Sequence, residues 1–304
     1  MKRATTLTCF HLDWWFEKSE IRIVPHIVQH MKKYTFLIIA FFFTSSLIAQ
    51  DEKHNEFSLN WGMGQIMRQD QTVSPFIHQQ WAPINVLLSY SRSKKLDQLA
   101  EIKFSLYNPS IVDPYSFNSF YNGNETDIAH SFKLIDFNYA LGKSILDKNQ
   151  WRLVVGGKSR NQIYSSDYNF GPTLTPSPMF ISFGLDLWLN LRYAINEQHY
   201  FNSNLGLPLF SYIYRAPYAA QNDDYFENIY SHKGIKEFTN RVKDGELESW
   251  GNSQRFDFDL RYGYVLNEKW DVGLTYLLAM NFNQSPTQFT QIENVFFISG
   301  KIKF

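Results

Sequence analysis

Apolar and polar residues alternate through Phe296-Phe297-Ile298-Ser299-Gly300-Lys301-Ile302-Lys303-Phe304. In an extended strand Phe296, Ile298, Ile302 and Phe304 share one face and Ser299, Lys301 and Lys303 the other. Large apolar side chains backed by lysines suit a wall between lipid and a polar interior. The same period of two recurs in ten segments: Glu56 to Gln65, Pro83 to Arg92, Gln98 to Asn108, Phe132 to Lys143, Trp151 to Arg160, Phe180 to Tyr193, Tyr200 to Tyr212, Gln254 to Leu266, Trp270 to Asn281 and Gln291 to Phe304.

The connections alternate in length. Short turns at 93–96, 147–150, 196–198 and 267–269 are rich in Asn, Asp and Lys, and longer stretches run through 69–80, 109–129, 161–179, 213–251 and 282–290. The pattern predicts an all-β fold, a transmembrane antiparallel up-and-down β-barrel of about ten strands with short periplasmic turns and long extracellular loops. An even strand number puts both termini in the periplasm. A soluble β-sandwich or lipocalin-like barrel also alternates, but it turns its charged face to water and has no use for this loop asymmetry.

Facing follows from the strongest segments. Phe183, Leu185, Leu187, Leu189, Leu191 and Tyr193 look outward, and Gly184, Asp186, Asn190 and Arg192 inward. Phe256, Phe258, Leu260, Tyr262 and Tyr264 face lipid, which leaves Arg255, Asp257, Asp259 and Arg261 for the lumen, since charges cost several kcal/mol each near the bilayer midplane. Trp151, Tyr193, Phe201, Tyr264, Trp270 and Phe304 fall outward beside short turns, as an aromatic girdle requires.

Near the other end, Met31-Lys32-Lys33 precedes an uncharged run that closes on Ala49-Gln50. The run falls short of the roughly 20 residues a membrane helix needs, and it reads as a signal peptide over 31–50. A signal starts on its own basic region, so residues 1–30, with Asp13, Glu17 and Glu20 among aromatics, read as an extension of the gene model, and 51–304 as a single barrel domain. Without the leader Cys9, the only cysteine, is lost, which leaves no disulfide or thiolate site. Basic residues then number 23 against 26 acidic, a balance that excludes the basic face of a nucleic-acid binder. The aromatic share of 17% is high and suits interfacial girdles.

Candidate chemistry lies in the lumen and the loops. The inward charges are Asp136, Lys158, Asp186, Arg192, Arg255, Asp257, Asp259, Arg261, Asp271, Lys301 and Lys303, joined by Glu101, Lys103, Asn138, Arg152 and Glu293. Their signs are interspersed, which favours a paired polar plug over a selective pore whose constriction carries one sign. Asp271 is expected to pair with Lys301 or Lys303. The long 213–251 connection carries Tyr214, Arg215, Tyr218, Tyr225, Phe226 and Tyr230, residue types favoured at binding hot spots. Within it Ile235, Phe238 and Val242 predict one short amphipathic helix between Gly234 and Gly245, packed on the rim.

Ten strands and this length resemble the omptin proteases of enterobacterial outer membranes. The resemblance implies paired carboxylates high on facing strands, which Asp257 and Asp259 could supply, but no histidine stands at matching height. His199 is beside a turn, and His130 and His232 lie in or at loops. Lipid A deacylases and outer-membrane phospholipases fit less well, because Ser299 has no nearby histidine and twelve strands are not present. The histidines His54, His78, His130, His199 and His232 are scattered, which predicts no metal site, and no cofactor motif appears. The Lys-Lys start, the Ala-Gln signal end and the aromatic-rich strands resemble outer-membrane barrels of the Bacteroidota.

These readings converge on an integral outer-membrane barrel that is not an enzyme, a structural or partner-binding component with its mouth covered by the 213–251 loop. A narrow channel for a small solute comes second and a hydrolase third. Expected partners are the bilayer and lipopolysaccharide, the barrel assembly machinery and other envelope proteins. Assembly machinery typically reads a terminal aromatic, so deleting Phe304 is expected to lower outer-membrane yield far more than Phe304→Tyr. Equal yields of the deletion and the wild type in membrane fractions would count against the closing-strand reading.

Overall fold

The computed structural model describes residues 54–113, 117–119, 123–125, 130–169, 178–215 and 234–304. The leader and extension read over 1–50 lie outside the described residues, as do Tyr218, Tyr225, Phe226 and Tyr230. Ten long strands form one closed antiparallel wall: β1 (His54–Asp70), β2 (Ser74–Ser93), β3 (Asp97–Tyr107), β7 (Ser131–Lys148), β8 (Trp151–Asp167), β9 (Met179–Ala194), β10 (His199–Arg215), β12 (Ser253–Val265), β13 (Trp270–Asn283) and β14 (Phe289–Lys303). Each sequence-predicted segment lies within or across one of these strands. The short β4 (Ser110–Ile111) adds to β2, β5 (Phe117–Ser119) pairs with β6 (Gly123–Glu125), and β11 (Glu246–Ser249) adds to β10. The barrel closes where β1 meets β14, from Glu56 opposite Lys303 to Asp70 opposite Phe289. Asn55 and Phe304 exchange backbone hydrogen bonds of 3.1 and 2.9 Å just beyond that ladder. A closed ladder leaves no unpaired edge, which is what a sheet in hydrocarbon needs.

The outer surface is apolar where a soluble protein would be polar. Trp61, Ile298 and Leu274 are cross-strand neighbours on β1, β14 and β13, and they are 55%, 67% and 61% exposed. Leu59, Met63, Ile102, Phe137, Leu187 and Leu260 continue the belt around the barrel. A continuous apolar surface of this kind faces lipid. Trp151, Phe201, Trp270 and Phe304 stand exposed at the turn end, with the Trp151 and Tyr193 rings 4.3 Å apart. No described helix is long and apolar enough to cross a membrane.

The strands run further than their apolar alternation. β1 and β2 are joined across only residues 71–73, and β13 and β14 across 284–288, so two of the expected long loops are tight turns. Above the belt the outward positions of β1 become Gln65, Met67 and Gln69, which weakens the hydrophobic half of the period while backbone pairing continues. Pro83 and Pro208 lie inside β2 and β10, and each sits at a register shift, where a missing N–H breaks no ladder bond. A shift also exchanges the faces. On β10 the inward residues are Tyr200, Asn202 and Asn204 below Pro208, and Ser211, Ile213 and Arg215 above it. The helix α1 (Ile235–Lys243) forms where expected, but its buried residue is Arg241, and Ile235 is 82% exposed. Tyr212 Oη donates to the carbonyl of Val242 at 2.7 Å, which docks the helix C-terminus on the wall.

Facing predicts an order of effects. Ile298→Arg, in the middle of the belt, is expected to destabilise the barrel by about 2–4 kcal/mol in a urea titration from liposomes. Ser299→Ala, which removes a 2.9 Å hydrogen bond to Thr275 inside the lumen, is expected to cost about 1 kcal/mol. The reverse order would mean that the two faces are exchanged.

Candidate functional site

The lumen divides into three levels. At mid-height, charges from adjacent strands and from strands that do not touch in the sheet meet inside it. Lys103 on β3 reaches Glu293 on β14 at 2.5 Å and Asp136 on β7 at 3.2 Å. Glu293 also accepts from Ser105 at 3.1 Å and from Tyr107 at 3.0 Å. Asp136 accepts from Gln162 at 2.5 Å and Tyr164 at 2.9 Å, with Arg255 on β12 at 3.9 Å. Arg160 on β8 pairs with Asp186 on the next strand and spans the lumen to Asp257 on β12 at 3.1 Å. Gly206 makes room for this pair, because a Cβ there would collide with the Arg160 guanidinium. Lys158 holds Glu101 at 3.0 Å. Such pairs are stable in a low-dielectric interior only when every partner is present.

Toward the loop end, stacked rings join the ion pairs. Phe180 stacks on Phe289 at 5.2 Å and Tyr164 on Phe180 at 5.6 Å. The Arg68 guanidinium lies between the Phe132 and Phe289 rings, 4.8 and 4.9 Å from their centroids, and donates to Ser166 at 2.5 Å. Above it Arg215 binds Asp70 at 2.5 Å and the carbonyl of Ser285 at 3.1 Å. His78 and His130, far apart in sequence, meet edge to face at 4.4 Å beside Tyr168. Their ring nitrogens engage Ser74 and the backbone N–H of Asn169, and no cluster of three or more metal-ligating side chains occurs among the described residues.

Toward the turn end the lumen opens into a cavity of 530 Å³. Trp188 and Asp259 stand at its inner end, and Arg192, Tyr200, Arg261, Lys301 and Glu56 are on its wall. Asp259 accepts from Asn204 at 3.0 Å, and Trp188 donates to Asn204 at 3.2 Å. Lys301 pairs with Glu56 at 2.6 Å, while Asp271 takes Lys303 at 2.7 Å and the Tyr200 hydroxyl at 3.0 Å. Arg152 is held by Asp97 at 2.6 Å.

All eleven lumen charges expected from the sequence point inward, and of the two lysines expected for Asp271 it takes Lys303. Arg255 and Arg261 are not paired with Asp257 and Asp259. Asp257 belongs to Arg160, and Arg261 makes no ion pair among the described residues. Arg160 was legible as the second residue after Lys158 on an alternating strand; Arg68, Asp70 and Arg215 were not, because each lies beyond the apolar part of its strand. Arg215 and Tyr214 are therefore not loop residues. Arg215 is inside the lumen, and Tyr214 is buried with its hydroxyl 3.5 Å from Arg241 of α1.

No protein-family model and no curated protein matches the sequence. Among solved structures, the chain is similar to the β domain of the Bordetella autotransporter BrkA at 9% identity and a TM-score of 0.37, covering 84% of this chain and 100% of that one. It is also similar to the Pseudomonas putida toluene transporter TodX at 10% identity and a TM-score of 0.33, covering 84% and 90%. Neisserial surface protein A gives 8% identity and a TM-score of 0.32, with 84% and 98% covered. The protein is a closed antiparallel β-barrel with an apolar outer belt and a charged lumen.

Because Arg160 forms the ion pairs of two carboxylates, Arg160→Met is expected to destabilise the barrel by about 3–5 kcal/mol, the usual consequence of breaking a buried pair. Asp259→Asn keeps its bond from Asn204 and is expected to change stability much less. The midpoint of the heat-induced mobility shift in gels reads both. Equal midpoints would show that the charges are not coupled as described.

Proposed function

We propose that the protein is a closed, non-conducting barrel of the outer membrane, a structural or partner-binding component of the cell envelope and neither a pore nor a hydrolase. The observation that carries this reading is the seal, in which ion pairs between adjacent and non-adjacent strands fill mid-height under a second layer of stacked rings and Arg68. An ion crossing the lumen would have to separate charges that hold one another at hydrogen-bonding distance. In this reading the turn end, where β1 begins and β14 finishes, faces the periplasm, and the loop end, with α1, faces outward. The style of leader and strands that resembles Bacteroidota barrels belongs with it.

The hydrolase reading loses support because Asp257 is committed to Arg160, and the described histidines are elsewhere. His199 contacts Tyr262 at the turn end, and His78 and His130 lie in the ring layer. The channel reading keeps one supporting observation, the cavity at the turn end, which would become half of a pathway if the seal opened. Partners fitting the proposal are the bilayer with its lipopolysaccharide, the assembly machinery during insertion, and envelope proteins that meet the loop end.

Planar-bilayer recording separates these readings. Wild-type protein is expected to give no unitary steps, and Arg68→Ala combined with Phe289→Ala is expected to give intermittent ones as the ring layer loosens. Reproducible ion-selective steps from the wild type would replace the proposal with the channel reading.

A further inference from the structure

From the cavity at the turn end we infer a binding site for a small soluble phosphate monoester, held between Arg192 and Arg261. On three adjacent strands Asn202 is the direct cross-strand neighbour of both arginines, Arg192 on β9 and Arg261 on β12. All three side chains line the cavity. Two strand spacings put the arginine backbones about 10 Å apart, a span two guanidinium forks can close around one tetrahedral anion.

The decisive feature is the unfilled state of these donors. Arg261 is only 8% exposed, yet its Nε and one Nη atom have no hydrogen-bond partner. It lies along the bare backbone of Gly273 inside the wall. Arg192 also makes no ion pair among the described residues; its guanidinium rests 4.5 Å above the Tyr200 ring. The Lys301 ammonium is 5.5 Å from the same ring. The carboxylates nearby are already engaged: Glu56 by Lys301 and Ser91, Asp271 by Lys303 and Tyr200, and Asp259 by Asn204. A buried guanidinium with open donors at Arg261, faced across Asn202 by the half-buried Arg192, lines a 530 Å³ cavity and is held ready for an anion that enters from outside.

The rest of the wall says what the anion carries. Asn190, Asn202 and Asn204 form a row of amides bonded to one another at 2.8–3.1 Å, and Ser58, Ser89 and Thr275 add hydroxyls around the same space. Such a lining suits the hydroxyl groups of a polyol ester. The mid-height ion pairs close the inner end, so the ligand binds from the turn end and does not pass through.

Calorimetry on the folded, detergent-solubilised barrel tests the assignment with glycerol 3-phosphate as probe, and with acetate and chloride at equal ionic strength as controls. Saturable binding is expected for glycerol 3-phosphate alone, weakened at least ten-fold by Arg192→Gln and by Arg261→Gln, with part of the loss restored by Arg261→Lys. Asn202→Asp supplies an internal carboxylate between the arginines and keeps the acceptor for Asn190. It is expected to raise the melting temperature and abolish binding, which remains informative even if the arginine variants fail to fold. No saturable heat with the wild type, equal affinity in folded variants, or unchanged binding in Asn202→Asp would overturn the site. Equal binding of acetate would overturn the phosphate class, and competition by phosphatidylglycerol would overturn the soluble source. The bilayer recording is independent, so a silent barrel that binds nothing removes the site and leaves the sealed-barrel reading standing.

Discussion

Lys103 bridges Glu293 and Asp136 from strands that do not touch in the sheet, and Arg160 does the same between Asp186 and Asp257. A sheet that closes after ten strands surrounds a lumen too narrow to hydrate each inward charge separately. Inward side chains must therefore solve their own desolvation, and they do so by reaching across. The longer of these contacts, Lys103 to Glu293 and Arg160 to Asp257, each skip two strands of the wall and tie together parts that the backbone ladder links only through the strands between. Removing one member leaves two or three others buried without a counter-charge, so the layer acts as a unit and its members cannot be exchanged one at a time.

The levels of the lumen differ because the surroundings differ. Mid-height pairs are enclosed on all sides. At the turn end the walls separate enough to leave space, and there two arginines tolerate the absence of carboxylates. At the loop end, where the strands rise above the apolar belt, stacked rings carry the closure, Arg68 sits between ring faces, and Arg215 combines a ring face with the Asp70 carboxylate.

Much of this was legible in the chain. The alternation at Arg255, Asp257, Asp259 and Arg261 marked strand and face together, because only one face of a lipid-exposed strand tolerates charge. Two things were not legible. Apolar alternation ends where lipid ends, so the upper parts of β1, β2, β13 and β14 looked like loops although their pairing continues. Partner choice across the lumen depends on which strands face each other and on register shifts such as those at Pro83 and Pro208. Sequence neighbours such as Arg255 and Asp257 were natural partners on paper and bind elsewhere in space. Glycines were equally silent: Gly206 and Gly263 matter because Arg160 and Tyr200 lie over them, which no local pattern reveals.

The continuation of the strands beyond the belt gives the barrel a mechanical property. β2 has 20 residues, which at about 3.3 Å each and a tilt of about 40° rise roughly 50 Å along the barrel axis. The apolar band takes up about 25 Å of that height. A stiff collar on the order of 20 Å tall then stands above the lipid, built from paired strands and not from loop. α1 and the tips of the hairpins ride on this collar as on a pedestal. A macromolecule that touches them meets a surface fixed in orientation and raised clear of the headgroup layer, and force applied there is passed down the ladder into the sealed lumen instead of being absorbed by slack chain.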